Sequence, residues 1–331
     1  MVAGRRRRKK DGRGGAVGGS RPDGDESLPP DAPRGRVAAH HGVAVLVRFD
    51  DGGERQVWLA ANQKATVGDR VVLSEERLVV EPAHGVLRRR DPRGRDRTIA
   101  VNLDRLGIVL APEPREPPGY VDRGFVIARA AGIEPLVILN KIDLPGGAEL
   151  ADRLFEIYGA SCDVLRVSAT TGENVEAISQ AIGESELAAL VGPSGVGKSS
   201  LLNALVPDLE LVVGALNRGS GKGRHTTTTA TLHVLAGGGT LVDTAGFKDF
   251  IAVDVEALEA AQYFPSFETA VKQGCRFRDC LHRSEPDCAV LAAVASGAIS
   301  EPRHRAYSAL LEELLASADS ARPPGARKTS R

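Results

Sequence analysis

Hydrophobic and polar positions change rhythm along the chain. Between residues 36 and 85, short apolar runs recur at close spacing. Gly42-Val-Ala-Val-Leu-Val-Arg-Phe49 reads as a strand and Asp50-Asp-Gly-Gly53 as a turn. Arg55–Leu59, Val71–Leu73 and Leu78–Val80 continue the strand rhythm. This pattern predicts a small β-barrel, or an irregular meander of the same strands. From about residue 98 the rhythm alternates. Strands are expected at Arg105–Leu110, Pro135–Leu139, Val164–Val167 and Leu187–Val191, and helices at Val121–Ala131, Ala148–Tyr158 and Val175–Ile182. Such alternation predicts a mainly parallel sheet with helices on both faces. Thr231–Leu235 and Thr240–Val242, joined by Ala236-Gly-Gly-Gly239, read as a hairpin. Beyond residue 250 helical periodicity resumes around a Cys/His cluster, and Leu310, Leu311, Leu314 and Leu315 mark one face of a helix over Arg303–Ala316. Residues 1–35 and 317–331 are poor in large apolar side chains and are expected to be disordered.

Composition narrows the class. The chain has 331 residues, with 43 basic and 43 acidic side chains. Four cysteines do not make a disulfide framework at this length. No run reaches the ~18 apolar residues of a membrane span. The basic start, Arg5–Lys10, lacks the apolar stretch of a secretory signal. A cytoplasmic protein with no membrane partner is expected. Zero net charge argues against a nucleic-acid partner only until it is resolved by segment. Residues 1–35 carry nine basic and five acidic groups, and residues 86–98 six and two, whereas residues 99–185 carry seven and thirteen. Local field governs docking within a Debye length of ~8 Å, so the segregated basic segments keep an RNA partner open. The run Arg88–Arg97 reads as a basic linker, or simply as a solvated connector.

Candidate chemistry begins at Gly192-Pro193-Ser194-Gly195-Val196-Gly197-Lys198-Ser199, which fits G-x-x-x-x-G-K-[ST] between an apolar strand and a helix expected at Ser199–Val206. Glycines let backbone N–H groups wrap phosphates, and the helix N-terminus favours negative charge. Lys198 would reach the β- and γ-phosphates and Ser199 would bind Mg²⁺, with Ser200 completing the phosphate-binding stretch. Asn140-Lys141-Ile142-Asp143 selects the base. A carboxylate at Asp143 can accept the N1–H and N2–H₂ edge of guanine, a donor pair adenine lacks. Ser168-Ala169-Thr170 would support the base from the other side. Asp243-Thr-Ala-Gly246 ends an apolar strand, so Asp243 would organise Mg²⁺ and the Gly246 N–H would meet the γ-phosphate. The loop Gly219–Thr229 is rich in glycine and threonine, with Thr227 or Thr226 as a Mg²⁺ ligand. Cys275-x₄-Cys280-x-His282-x₅-Cys288 is a second centre. Three thiolates and an imidazole suit tetrahedral Zn²⁺ and leave no open position, so the role would be structural. Arg276, Arg278 and Arg283 beside it could bind phosphates or pair with Asp279, Glu285 and Asp287. Cys162 reads as a core thiol, and His40, His41, His84, His233 and His304 as structural.

The order of motifs is informative. The guanine motif comes first, then Ser168-Ala169, the P-loop, the threonine loop and Asp243–Gly246. This looks like a circularly permuted GTPase. With a barrel before it and the Cys/His cluster after it, the chain resembles, over about residues 36–316, the family of small-ribosomal-subunit biogenesis GTPases, whose zinc site the cysteine spacing matches. The resemblance implies an OB-fold over 36–90, a permuted P-loop GTPase domain over 91–250 and a zinc-binding helical domain over 251–316. It also implies GTP hydrolysis with Mg²⁺, stimulated by the small subunit during its late maturation, and contact with rRNA by a monomeric protein. A GTP-switched RNA- or protein-binding module acting off the ribosome is the alternative. Phe247 stands where many GTPases carry a water-positioning Gln. The resemblance offers His225 as the catalytic substitute, although an rRNA contact or a structural role would also suit it. Ala245 replaces the family's usual Pro. Permutation leads the second switch directly into the Cys/His domain, so nucleotide state could move that domain as a lever. Phe49 and Trp58 are the only large aromatics in 36–85, which favours shape and backbone recognition of folded RNA over base stacking.

Overall fold

The computed structural model describes residues 29, 31–74, 77–90, 95–206, 209, 230–243 and 255–321. The first unit is antiparallel: β1 (Arg34–His40), β2 (Ala44–Phe49), β3 (Glu54–Trp58), β4 (Arg70–Ser74) and β5 (Arg77–Val80). Its strand order is β3-β2-β1-β4-β5. Alternate residues turn inward, as period-2 chemistry requires. Val37, Val45, Val47, Val57, Val71 and Leu73 fill one core with Phe49 and Leu78. The result is a small, partly open barrel of the OB kind. Phe49 is consumed by that core, whereas Trp58 is 69% exposed. β1 starts inside the stretch expected to be tail, because its inward face completes the barrel.

The basic run 88–97 is not a plain connector. β6 (Leu87–Arg90) pairs antiparallel with β7 (Asp96–Ala100). Fully buried Leu87 and Ala100 face each other and anchor the pair to the core. A run of arginines carries no period-2 signal, which hid both strands in the sequence.

The central unit comprises β8 (Arg105–Leu110), α1 (Tyr120–Ala130), β9 (Glu134–Leu139), α2 (Gly147–Tyr158), β10 (Val164–Arg166), α3 (Glu176–Ala181), β11 (Leu187–Val191), α4 (Lys198–Leu205), β12 (Thr231–Val234) and β13 (Thr240–Asp243). Strands run in the order β10-β9-β8-β11-β13-β12, parallel except for β12. β8, β9 and β11 are almost wholly buried, as strands covered on both faces must be. Phe125, Ile127 and Leu154 of α1 and α2 pack one face. Ile178, Leu201, Leu202 and Leu205 of α3 and α4 pack the other. β12 also pairs with β1 at Ala39↔Thr231, so the barrel continues this sheet.

The last unit holds α5 (Ala260–Tyr263), α6 (Glu268–Gln273), α7 (Ala289–Ala295) and α8 (Glu301–Ala321). α8 runs past residue 316, where a tail was expected. Phe264, Phe267, Tyr307, Leu310, Leu311 and Leu314 form its core, and Val126 of α1 is buried among them. Leu315 packs at the edge.

Candidate GTP site and metal centre

The nucleotide site lies where β8, β9 and β11 end. β11 delivers Gly192 against the Val109 carbonyl, where a Cβ would collide. Gly195 (φ 89°) and Gly197 (φ 98°) take left-handed backbone that glycine adopts without strain. Gly197 then caps α4, which opens on Lys198. Val196 anchors the loop in the core, Ser194 is exposed, and Pro193, Ser199 and Ser200 are half-buried. Lys198 Nζ donates to the carbonyls of Gly192 (2.6 Å) and Pro193 (3.0 Å), which aims the ammonium across the loop.

The guanine motif meets this loop from a distant part of the chain. Asn140 Nδ2 donates to the Val196 carbonyl (2.9 Å), while its Oδ1 accepts from the Ala169 N–H (3.0 Å). One buried amide thus ties β9, the P-loop and the Ser168-Ala169 turn together. Lys141, at φ 62°, donates to the carbonyls of Gly195 (2.6 Å) and Glu113 (3.0 Å). Ser168 Oγ, fully buried, donates to Asp143 Oδ1 at 2.6 Å and holds the carboxylate outward. An exposed, pre-oriented carboxylate beside a phosphate-cradling loop can read a guanine edge.

Asp243 ends β13, next to β11 in the sheet. Burial raises its carboxyl above the ordinary range, against the lowering charges of His233 and Lys198. Burial lowers His233, whose ring lies 2.9 Å from the Thr231 hydroxyl. Residues 221–229, with His225, Thr226 and Thr227, and residues 244–247, with Gly246 and Phe247, lie outside the described residues.

The second centre gathers Cys275, Cys280, His282 and Cys288, whose ligand atoms all fall within 4.8 Å of one another. Cys275 and Cys288 sulfurs are 3.8 Å apart, and His282 Nδ1 lies 3.5, 3.6 and 3.3 Å from Cys275, Cys280 and Cys288. A tetrahedron with Zn–S of ~2.3 Å and Zn–N of ~2.0 Å has edges of about 3.8 and 3.5 Å, so the donor set fits Zn²⁺. Burial and the neighbouring sulfurs push the Cys280 thiol up to about 12, a penalty that a bound cation reverses. His282 sits at φ 59°, its carbonyl accepting from His304 Nε2 at 2.7 Å. Tyr307 Oη donates to the Leu281 carbonyl. His304 therefore supports the ligand turn, a role its sequence position did not disclose. Arg276 pairs with Asp287 (3.0 Å), one of the three carboxylates expected, whereas Arg283 pairs with Glu312 (3.0 Å), which was not among them. Cys162 is half-buried against the sheet core.

Sequence reasoning missed the bolt between the last unit and the sheet. Arg303 of α8 makes a bidentate pair with Asp122 of α1 (3.1 and 2.8 Å), and Tyr158 Oη donates to the same carboxylate at 3.0 Å. Arg129 reaches Glu268 (2.8 Å) and the Ser161 carbonyl (2.9 Å). No sequence motif marks these contacts: the two ion pairs, Arg303–Asp122 and Arg129–Glu268, join residues more than a hundred positions apart.

The sheet order, the P-loop and the guanine motif preceding it define a circularly permuted P-loop GTPase. The family model described as RsgA GTPase matches residues 80–252. A protein of Azotobacter vinelandii called small ribosomal subunit biogenesis GTPase RsgA is 38% identical over 303 residues, 85% of each chain. One of the same name from Chromohalobacter salexigens is 39% identical, covering 85% of this chain and 86% of its own. Among solved structures, YjeQ from Thermotoga maritima superposes with TM-score 0.71 at 30% identity, covering 86% of this chain and 98% of its own. YloQ, described as a circularly permuted GTPase, gives 0.68 at 25% identity, covering 88% and 96%. The chain belongs to the RsgA GTPase family, and it is a GTPase. Among the described residues no helix is long and apolar enough to cross a membrane.

Proposed function

We propose that this GTPase acts in late maturation of the small ribosomal subunit: it binds the subunit's rRNA, is stimulated by it, and leaves on hydrolysis. The observation that carries the proposal is the convergence of Asn140 and Lys141 on the P-loop, with Asp143 held beside them by Ser168, together with relatives bearing that function in their names. In this reading residues 36–90 are the OB unit, 91–250 the GTPase domain and 251–316 the zinc domain, in a cytoplasmic monomer. The N–H groups of Gly192–Ser200 cradle phosphates, and Lys198 offsets charge developing on the β–γ bridge. Ser199, Asp243 and Thr227 would hold Mg²⁺, which would supply positive charge against the phosphate oxygens. The Gly246 N–H meets the γ-phosphate. Phe247 cannot orient water, so His225 is assigned that task.

GTP turnover with and without purified small subunits tests the proposal. Strong stimulation by small subunits and none by large ones is expected; equal rates in all three conditions would overturn the ribosomal reading. In the same assay His225→Ala should lose the stimulated rate while binding nucleotide normally. An unchanged stimulated rate removes His225 from catalysis.

A further inference from the structure

The loop from Ala111 to Gly119 links β8 to α1 and contains Pro112, Pro114, Pro117 and Pro118. Each proline fixes φ at roughly −65°, so the loop has few free torsions and carries displacement along its length. Its first half lies on the nucleotide site. The Glu113 carbonyl accepts from Lys141 Nζ at 3.0 Å, and the same ammonium donates to the Gly195 carbonyl of the P-loop at 2.6 Å. Pro114 covers Gly195, where an added Cβ would come within 3.4 Å of its ring. The second half is fastened to α1. The Tyr120 N–H donates to the Pro117 carbonyl (3.1 Å), and Arg123 Nη2 donates to the Pro118 carbonyl (2.8 Å). Arg123 Nη1 meanwhile reaches both carboxylate oxygens of Glu313 on α8, at 3.1 and 3.2 Å.

One guanidinium therefore joins the loop to the zinc unit. The Arg123 side chain is 16% exposed and that of Glu313 56%. An ion pair with so open a partner contributes little to stability. What the planar fork does instead is hold two acceptors in set directions at once. Gly119, left-handed at φ 69°, stands between the Pro118 carbonyl and α1. Without the Arg123 donors it becomes a swivel, since glycine has the widest choice of torsions. A swing of the loop carries the Glu113 carbonyl away from Lys141, and the ammonium loses one of the two acceptors that aim it at the P-loop.

We propose that Arg123 is a positioning residue for nucleotide binding: it sets the loop that fixes Lys141 against the P-loop, and Glu313 ties that setting to α8. The inference needs only the GTPase activity and holds whether or not the small subunit is the partner.

Steady-state GTP turnover of the full chain tests it, using Arg123→Met, which keeps an apolar stem and loses every donor. KM should rise about fivefold, the effect of one lost hydrogen bond, with kcat unchanged and Tm nearly so. Arg123→Lys, which still reaches one carbonyl, should restore most of the affinity. In a Lys141→Met background Arg123→Met should add nothing further, because both act on the same contact. An unchanged KM, no rescue by lysine, or losses that add in the double variant each overturn the proposal. So does a fall in kcat and Tm at unaltered KM, which marks a merely structural residue. Should Arg123→Met not fold, Glu313→Ala, at the exposed end of the pair, carries the test. There KM should be about twofold higher, again without adding to Lys141→Met, and an unchanged KM is equally decisive.

Discussion

Asp143 is exposed yet oriented, because fully buried Ser168 holds one of its oxygens. In the proposed reading its second oxygen is available to the guanine edge. Asp143→Asn replaces an acceptor of two guanine donors by a group that accepts only one. The loss is about 3 kcal/mol, roughly a hundredfold in GTP affinity, with ATP affinity unchanged. Titration of both nucleotides checks it, and an equal loss for ATP would mean that the site had collapsed instead. Asp243 makes a different argument. Its carboxyl is raised, first by burial, with His233 and Lys198 only partly opposing. A carboxyl raised in the folded state weakens folding above its folded pKa, and that penalty disappears below the unfolded value of ~3.9. Asp243→Asn should therefore raise nucleotide-free stability at pH 7, with the gain fading as pH falls toward 4, while Mg²⁺-dependent GTP binding is lost. A thermal melt showing lower stability at pH 7 would contradict this.

At the scale of elements, α1 belongs to two cores. Phe125 and Ile127 pack on the sheet, while Val126 is buried in the zinc unit. Asp122 is the ionic half of the same joint, with Asp122 and Arg303 side chains 6% and 12% exposed. The zinc unit is thus bolted to the GTPase sheet, and any lever action through the second switch must work against that joint. Arg303→Met leaves Asp122 buried with only the Tyr158 hydroxyl. It should cost about 3 kcal/mol, seen as an earlier unfolding transition, with Asp122→Asn in the same chain recovering part of the loss. The Cys₃His set, as the proposed zinc site, makes the complementary case. His282 and Cys280 lie on a turn without regular structure, whose order depends on its donors. Chelation, or Cys288→Ala, should release one metal equivalent and expose amides of 275–290 to hydrogen exchange, with β8–β11 amides unaffected. Protection lost equally in the sheet would show that the two cores melt as one.

Over the whole molecule, one sheet runs from β10 to β3, because β12 offers β1 an edge. That join uses a single registered pair, Ala39↔Thr231, which places β1 next to β12 and one strand further from Asp243 on β13. In the proposed ribosomal reading, a contact on the barrel would reach Asp243, the proposed Mg²⁺ ligand, through strands already hydrogen-bonded together.

The chain's own order of residues was enough to fix the P-loop, the guanine motif, the permutation and the Cys₃His set. Each is a local chemical requirement met within a few residues, such as glycines at Gly195 and Gly197 where φ is positive. Apolar runs likewise marked β8, β9 and β11, because strands buried on both faces admit little polar substitution. Tertiary structure alone decided the Arg303–Asp122 joint, the hairpin hidden in the arginine run, the β1–β12 edge and the Arg123–Glu313 contact. These depend on register and on pairs distant in sequence, and ionic pairing leaves no periodic trace along a chain. Local chemistry is written in short motifs, whereas the surfaces on which that chemistry acts are made only when the strands come into register.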